Sequence, residues 1–157
     1  MSPHRYEWVE HGEGKGTALW GAISQWDTSS VTSMQYSFSV GWNNGAYEEG
    51  YNAKAKFFNA DISQWITSAV TDMSHLFSRA EAFTGSLTKW DVGAVTSMTN
   101  MFSSAHLWNG DISKWNVAKV RRMTVPWYWC SCMDEELRVP IPTLQSSSHP
   151  RIIHFEN

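Results

Sequence analysis

Six histidines, two cysteines and evenly placed aspartates, hydroxyls and tryptophans are what this chain offers for chemistry. His4, His11, His75, His106, His149 and His154 contain no H-x-x-x-H pair, the spacing that turns two imidazoles toward one zinc ion. Cys130 and Cys132 are separated by one residue and have no second pair to complete a zinc site. The stretch Gly12–Gly16, GEGKG, lacks the rest of a phosphate loop, and no G-x-S-x-G nucleophile turn occurs. Asp61 and Asp111 match in position and suggest a calcium ladder. The corresponding residues Ala22 and Ser86 bring no carboxylate, so a bond from each Asp into its own turn is the simpler reading. Ser24, Ser63, Thr88 and Ser113 form one hydroxyl column, and Thr32, Thr71 and Thr96 form another. A flat ice- or sugar-binding face would take outward hydroxyls at i and i+2, yet two residues beyond each member of the first column stands a tryptophan. No catalytic, metal or cofactor site is expected, and the chain is not expected to be an enzyme.

What these residues share is regular spacing, which points to the elements that hold them. Aligned on tryptophan, the chain reads Trp26, Trp65, Trp90 and Trp115, with steps of 39, 25 and 25 residues. Three residues before each stands Ile23, Ile62, Leu87 or Ile112, and five after it Val31, Val70, Val95 or Val120. Eight after it stands Met34, Met73, Met98 or Met123, and twelve after it Phe38, Phe77, Phe102 or Trp127. Small residues (Gly41, Ala80, Ala105, Cys130) come fifteen after, and Leu19, Phe58, Phe83 and Trp108 come seven before.

A unit of 25 residues is too short to bury its own apolar face, but stacked units turn each column into a continuous ladder. The expected core is therefore Ile62, Trp65, Val70, Met73, Phe77, Leu87, Trp90, Val95, Met98, Phe102, Ile112, Trp115, Val120 and Met123. Tryptophans in phase with Ile, Val and Met read as core rather than as a stacking platform for sugars. The first half of a unit, as in NGDISKWNV, reads as a short strand with a turn. The second half spaces Val70, Met73, Phe77, Ala80 and Phe83 by three or four, which is helical spacing. The expectation is an α/β repeat: a short right-handed solenoid of about four coils, each with one short strand and one short helical turn.

Composition limits the partners. A net charge of −3 with 17% charged residues gives no basic surface for nucleic acid. No apolar run approaches the ~18 residues of a membrane span. The polar N-terminus has no apolar segment of the kind found in secretory signals.

The columns carry a resemblance. FNADISQWITSAVTDMSHLFSRAEAF and FTGSLTKWDVGAVTSMTNMFSSAHLW, with WNGDISKWNVAKVRRM after them, resemble the BspA-like leucine-rich-repeat surface protein family. More narrowly they are similar to the roughly 25-residue Trp/Met repeat of mycoplasma surface proteins and of some algae and protists. The resemblance spans Leu19 to about Cys130. It implies a leucine-rich-repeat-like solenoid, display at a cell surface, and adhesion or protein contact, with no catalytic residues to transfer.

Three regions follow: an N-terminal extension or cap over 1–18, repeats over 19–132, and an irregular tail over 133–157. Between Phe38 and Phe58 lie 14 residues more than between Phe77 and Phe83, an insertion near 40–56 read as a projecting surface loop. Its Trp42, Tyr47 and Tyr51 make it the candidate binding loop. The expected function is non-catalytic recognition of a protein or cell-surface glycan. The alternatives are a structural fragment of a longer repeat protein and, third, a carbohydrate- or ice-binding solenoid.

Overall fold

The computed structural model describes residues 5–43 and 46–123. Trp127, Cys130, Cys132 and the tail from 133 lie outside the described residues, as do residues 1–4. The chain opens with helix α1, Arg5–Trp20. Gly21 ends it with φ +78°, a conformation glycine adopts without steric cost, and its N–H bonds the Thr17 carbonyl at 2.9 Å. Trp8 and Val9 are buried, the Trp8 ring meets Phe58 edge-on at 6.4 Å, and its indole N–H donates to the Gly21 carbonyl at 3.3 Å. Leu19, expected in a core column, is 56% exposed because α1 runs through it and the repeat begins only at Gly21.

From Gly21 onward each unit is a succession of four-residue turns. In the unit of Trp65, the N–H of Trp65 bonds the Ile62 carbonyl, Val70 bonds Thr67, Leu76 bonds Met73, Ala80 bonds Phe77 and Phe83 bonds Ala80, at 2.9–3.2 Å. Aspartates set the turns of the first half. Asp27, Asp61, Asp91 and Asp111 each accept, at 2.9 Å, the backbone N–H two residues on, from Ser29, Ser63, Gly93 and Ser113. Asp61 and Asp111 thus sit where the turn reading puts them.

Among the described residues, the expected helical turn is absent from the second half of the Trp26, Trp65 and Trp90 units. Tyr36, His75 and Asn100, ten residues after successive tryptophans, have φ of 53–57°, and Arg79 and Ser104, fourteen after, have φ of 63° and 58°. A left-handed residue breaks an α-helix. Two such residues four apart fold the chain into consecutive turns whose inward residues recur every three or four. That spacing imitates a helix, which is why the period misleads.

The strand expected in the first half of the unit, as in NGDISKWNV, is not formed among the described residues, and the parallel pairing falls in the second half, seven residues after each tryptophan. Single-residue parallel bridges join Ser33 to Asp72, Asp72 to Ser97 and Ser97 to Arg122. The pairing between units is nonetheless extensive. The N–H groups of Met34, Tyr36, Phe38 and Val40 donate to the carbonyls of Asp72, Ser74, Leu76 and Ser78 at 2.9–3.1 Å. Those of Met73, His75, Phe77 and Arg79 donate in turn to Ser97, Thr99, Met101 and Ser103 at 2.6–2.9 Å. Alternate N–H groups therefore reach the next unit, while those between close turns, which satisfies the backbone without long strands.

The core columns lie between these walls. Ile62, Trp65, Val70, Met73, Phe77, Leu87, Trp90, Val95, Met98, Ile112, Trp115 and Val120 are buried, while Phe102 and Met123 are partly buried against them. Phe38, Phe77 and Phe102 stack at 5.7 Å intervals, and each also stacks on the ring seven before the next tryptophan: Phe58 at 4.0 Å, Phe83 at 4.1 Å and Trp108 at 3.8 Å. Each indole N–H reaches the unit before it: Trp65 donates to Ile23, Trp90 to Ile62 and Trp115 to Leu87, at 2.8–3.2 Å. The tryptophan column thus buries apolar area and satisfies its polar atom in one register.

Candidate functional site

The insertion does not project as an open loop. Strands β1 (Trp42–Asn43) and β2 (Ala46–Tyr47) pair antiparallel, Trp42 with Tyr47 and Asn43 with Ala46. Only Asn44 and Gly45 stand between them, the residue pair favoured in two-residue hairpins, and that was the readable signal. A 3-10 turn, Ala53–Phe57, returns the chain to the repeat. The hairpin is tied at its root: the Gly41 N–H donates to the Tyr51 carbonyl at 2.8 Å, and the Glu48 N–H to the Gly41 carbonyl at 2.7 Å. The buried Asn52 side chain donates to the Ser39 carbonyl at 2.8 Å.

Tyr47 lies back against the repeats. A Cβ at Gly41, whose φ is +79°, would meet the Tyr47 ring at 2.5 Å, so only glycine allows this approach. On the repeat side, Arg79 donates from Nη1 to the Tyr47 hydroxyl at 3.0 Å, and its guanidinium carbon lies 5.4 Å from the ring centre. Between Tyr47 and the turns of two adjacent units opens a hollow of about 270 Å³, lined by Tyr47, His75, Ser78, Arg79, Asn100, Ser103 and Ser104.

The repeat supplies this lining through its left-handed turns. His75, Arg79, Asn100 and Ser104 all have positive φ, and none of the four is buried in the core: His75, Asn100 and Ser104 are half-buried and Arg79 is exposed. His75 stacks on Tyr36 at 4.8 Å. Burial holds its imidazole below the ordinary histidine pKa, only partly opposed by the Asp72 carboxylate. Tyr36 is raised, first by burial and then by Asp72.

Of the candidate binding loop, Tyr47 reaches the hollow. Tyr51 is half-buried and contributes its carbonyl to the hairpin root, and the backbone of Trp42 pairs with that of Tyr47. Column reading missed His75, Arg79, Asn100 and Ser104. These positions hold Tyr36, His75 and Asn100 in one column and Val40, Arg79 and Ser104 in the other, and they vary as the polar positions between the core columns do, so no sequence signal singled them out.

The hydroxyl ladder of Thr71 and Thr96 is engaged within the fold. Each Oγ1 donates at 3.1 Å to the threonine carbonyl of the unit before, Thr32 or Thr71. Among the described residues no group of three or more His, Cys, Asp or Glu could hold a metal ion, and no helix is long and apolar enough to cross a membrane.

Compared with known proteins, the chain matches one family, described as "Mycoplasma protein of unknown function, DUF285", over residues 15–45 and 46–138. No curated protein and no solved structure matches it.

Proposed function

We propose that this chain, which belongs to the DUF285 family, is a short right-handed solenoid of the BspA-like leucine-rich-repeat kind that recognises a protein or cell-surface glycan without catalysis. The successive parallel bridges, the indole bonds from unit to unit and the stacked rings support the solenoid reading. In it, α1 closes the first coil with Trp8 and Val9, as solenoids need at their ends. The family match supports repeat architecture, and display at a surface is part of the proposal.

The observation that carries recognition is the hollow beneath Tyr47. Here the insertion folds back onto repeat positions whose residue type differs from unit to unit. A structural repeat alone requires neither. Binding of the labelled chain to a glycan array and to intact cells tests this. Saturable binding is expected, and it should be lost when the hairpin 42–47 is replaced by a short Gly-Ser connection. Absence of binding to both, or hydrolytic turnover abolished by a single substitution, would overturn the reading.

A further inference from the structure

The hollow is lined by donors and carries no carboxylate: one guanidinium, one imidazole, one amide, three serine hydroxyls and one phenol. This composition contrasts with a chain whose net charge is −3. Arg79 is exposed, and among the described residues no carboxylate lies within ion-pair distance of it. One of its N–H groups is committed to the Tyr47 hydroxyl and its guanidinium carbon lies over the Tyr47 ring at 5.4 Å, so the fork is held in place with other N–H groups left to a ligand.

The backbone beneath is fixed as well. The Arg79 N–H donates to the Ser103 carbonyl at 2.6 Å, and its φ of 63° is strained for a residue with a Cβ. The matching positions hold Val40 and Ser104, so the repeat does not call for arginine there.

From this geometry we propose that the hollow binds an acidic saccharide, with Arg79 pairing the sugar carboxylate and Asn100, Ser103 and Ser104 bonding ring hydroxyls. The proposal rests on the recognition reading above and names its ligand class. A single guanidinium matches a single carboxylate through two parallel hydrogen bonds. Phosphopeptide sites instead gather clusters of arginines against a dianion. At about 270 Å³ the hollow lies just under the ~300–1,000 Å³ of pockets for drug-sized molecules, which suits one sugar ring better than an extended chain. Amide and hydroxyl groups both donate and accept, as sugar hydroxyls do. His75, whose imidazole burial holds below the ordinary histidine pKa, adds a group of the same kind. Tyr47 is here a positioning residue: its ring and hydroxyl hold the guanidinium rather than touch the sugar.

The test is titration of the purified chain with glucuronate, N-acetylneuraminate, glucose and inorganic phosphate, followed by amide chemical shifts. Shifts at Arg79, Asn100 and Ser104 are expected with the two acidic sugars and not with glucose. Arg79→Gln should abolish them, Arg79→Lys should weaken binding at least tenfold, and Tyr47→Phe should weaken it less, all with unchanged melting temperature. Equal binding of glucose, binding of phosphate as tight as that of glucuronate, or indifference to Arg79→Gln would overturn the proposal. If array or cell binding persists while Arg79→Gln and free glucuronate leave it unaffected, the acidic-sugar assignment fails and the recognition reading stands. If nothing binds in either experiment, both fail.

Discussion

At the scale of the residue, tryptophan does two jobs that phenylalanine cannot do together. Trp90 is 3% exposed, stacks parallel to Trp65 at 6.4 Å and donates its indole N–H to the Ile62 carbonyl at 3.1 Å. Trp90→Ala removes the buried ring and should cost ~3–5 kcal/mol. Trp90→Phe keeps most of the apolar area but leaves a buried carbonyl without its donor, for ~1–3 kcal/mol. Chemical denaturation measures both, and an unchanged stability for Trp90→Phe would mean that the hydrogen bond contributes nothing. The turn aspartates act through charge. Serine N–H and hydroxyl groups beside Asp27, Asp61 and Asp111 hold these carboxyls below the ordinary value of 3.8. A lowered folded-state pKa stabilises above the unfolded value and stops doing so as pH falls through the folded one. The loss is therefore expected below about pH 4. Asparagine keeps an acceptor but no titrating charge, so the double variant Asp61→Asn, Asp111→Asn should lose less melting temperature between pH 5 and pH 2 than the parent. Equally steep losses would show that these turns do not respond to protonation.

At the scale of the element, the second half of each unit is defined by its left-handed residues. They let alternate N–H groups point to the next unit while those between close local turns. An α-helix would consume all of them internally and leave the stack without cross-links. Non-glycine residues pay for this geometry at ~1–2 kcal/mol each. Ser104→Gly should thus raise stability by about 1 kcal/mol or slightly less, since glycine's freedom in the unfolded chain offsets part of the relief. A lower melting temperature for this variant would mean that the serine side chain contributes more than the strain costs. The hairpin follows a separate logic. Gly41 permits the close approach of Tyr47, and Tyr47 holds Arg79, so a single achiral residue at the root of the insertion determines whether the hollow has its wall.

At the scale of the molecule, each unit draws its burial and its hydrogen bonds from its neighbours. Stability in such an array is a sum over interfaces, and a unit with two neighbours outlasts one with a single neighbour. The Trp65 unit receives bonds from the Trp26 unit and donates to the Trp90 unit, and its Val70, Met73, Leu76 and Phe77 are fully buried. Its amides, those of Met73, His75 and Phe77 above all, should exchange hydrogen slowest, with α1 fastest among the described elements. Uniform protection across the described residues would indicate a single cooperative block instead.

The sequence by itself determined the register. Ile62, Trp65, Val70 and Met73 and their counterparts 25 residues on could be placed in the core, because burial selects side-chain type and a repeating backbone repeats the selection. The turn role of Asp61 and Asp111 was legible too, since an Asx bond is local and needs only the residues beside it. Backbone handedness was not legible. Spacings of three and four fit both a helix and linked four-residue turns, and nothing in Val70, Met73 and Phe77 reports the sign of φ at His75 and Arg79. Leu19 was misplaced for a related reason: the period says which residues match, not where α1 stops. The hollow was beyond reach as well, because Tyr47 and Arg79 are 32 residues apart and meet only through the hairpin's return. Local patterns fix what each column must be, but only the tertiary fold brings an insertion onto the columns that vary.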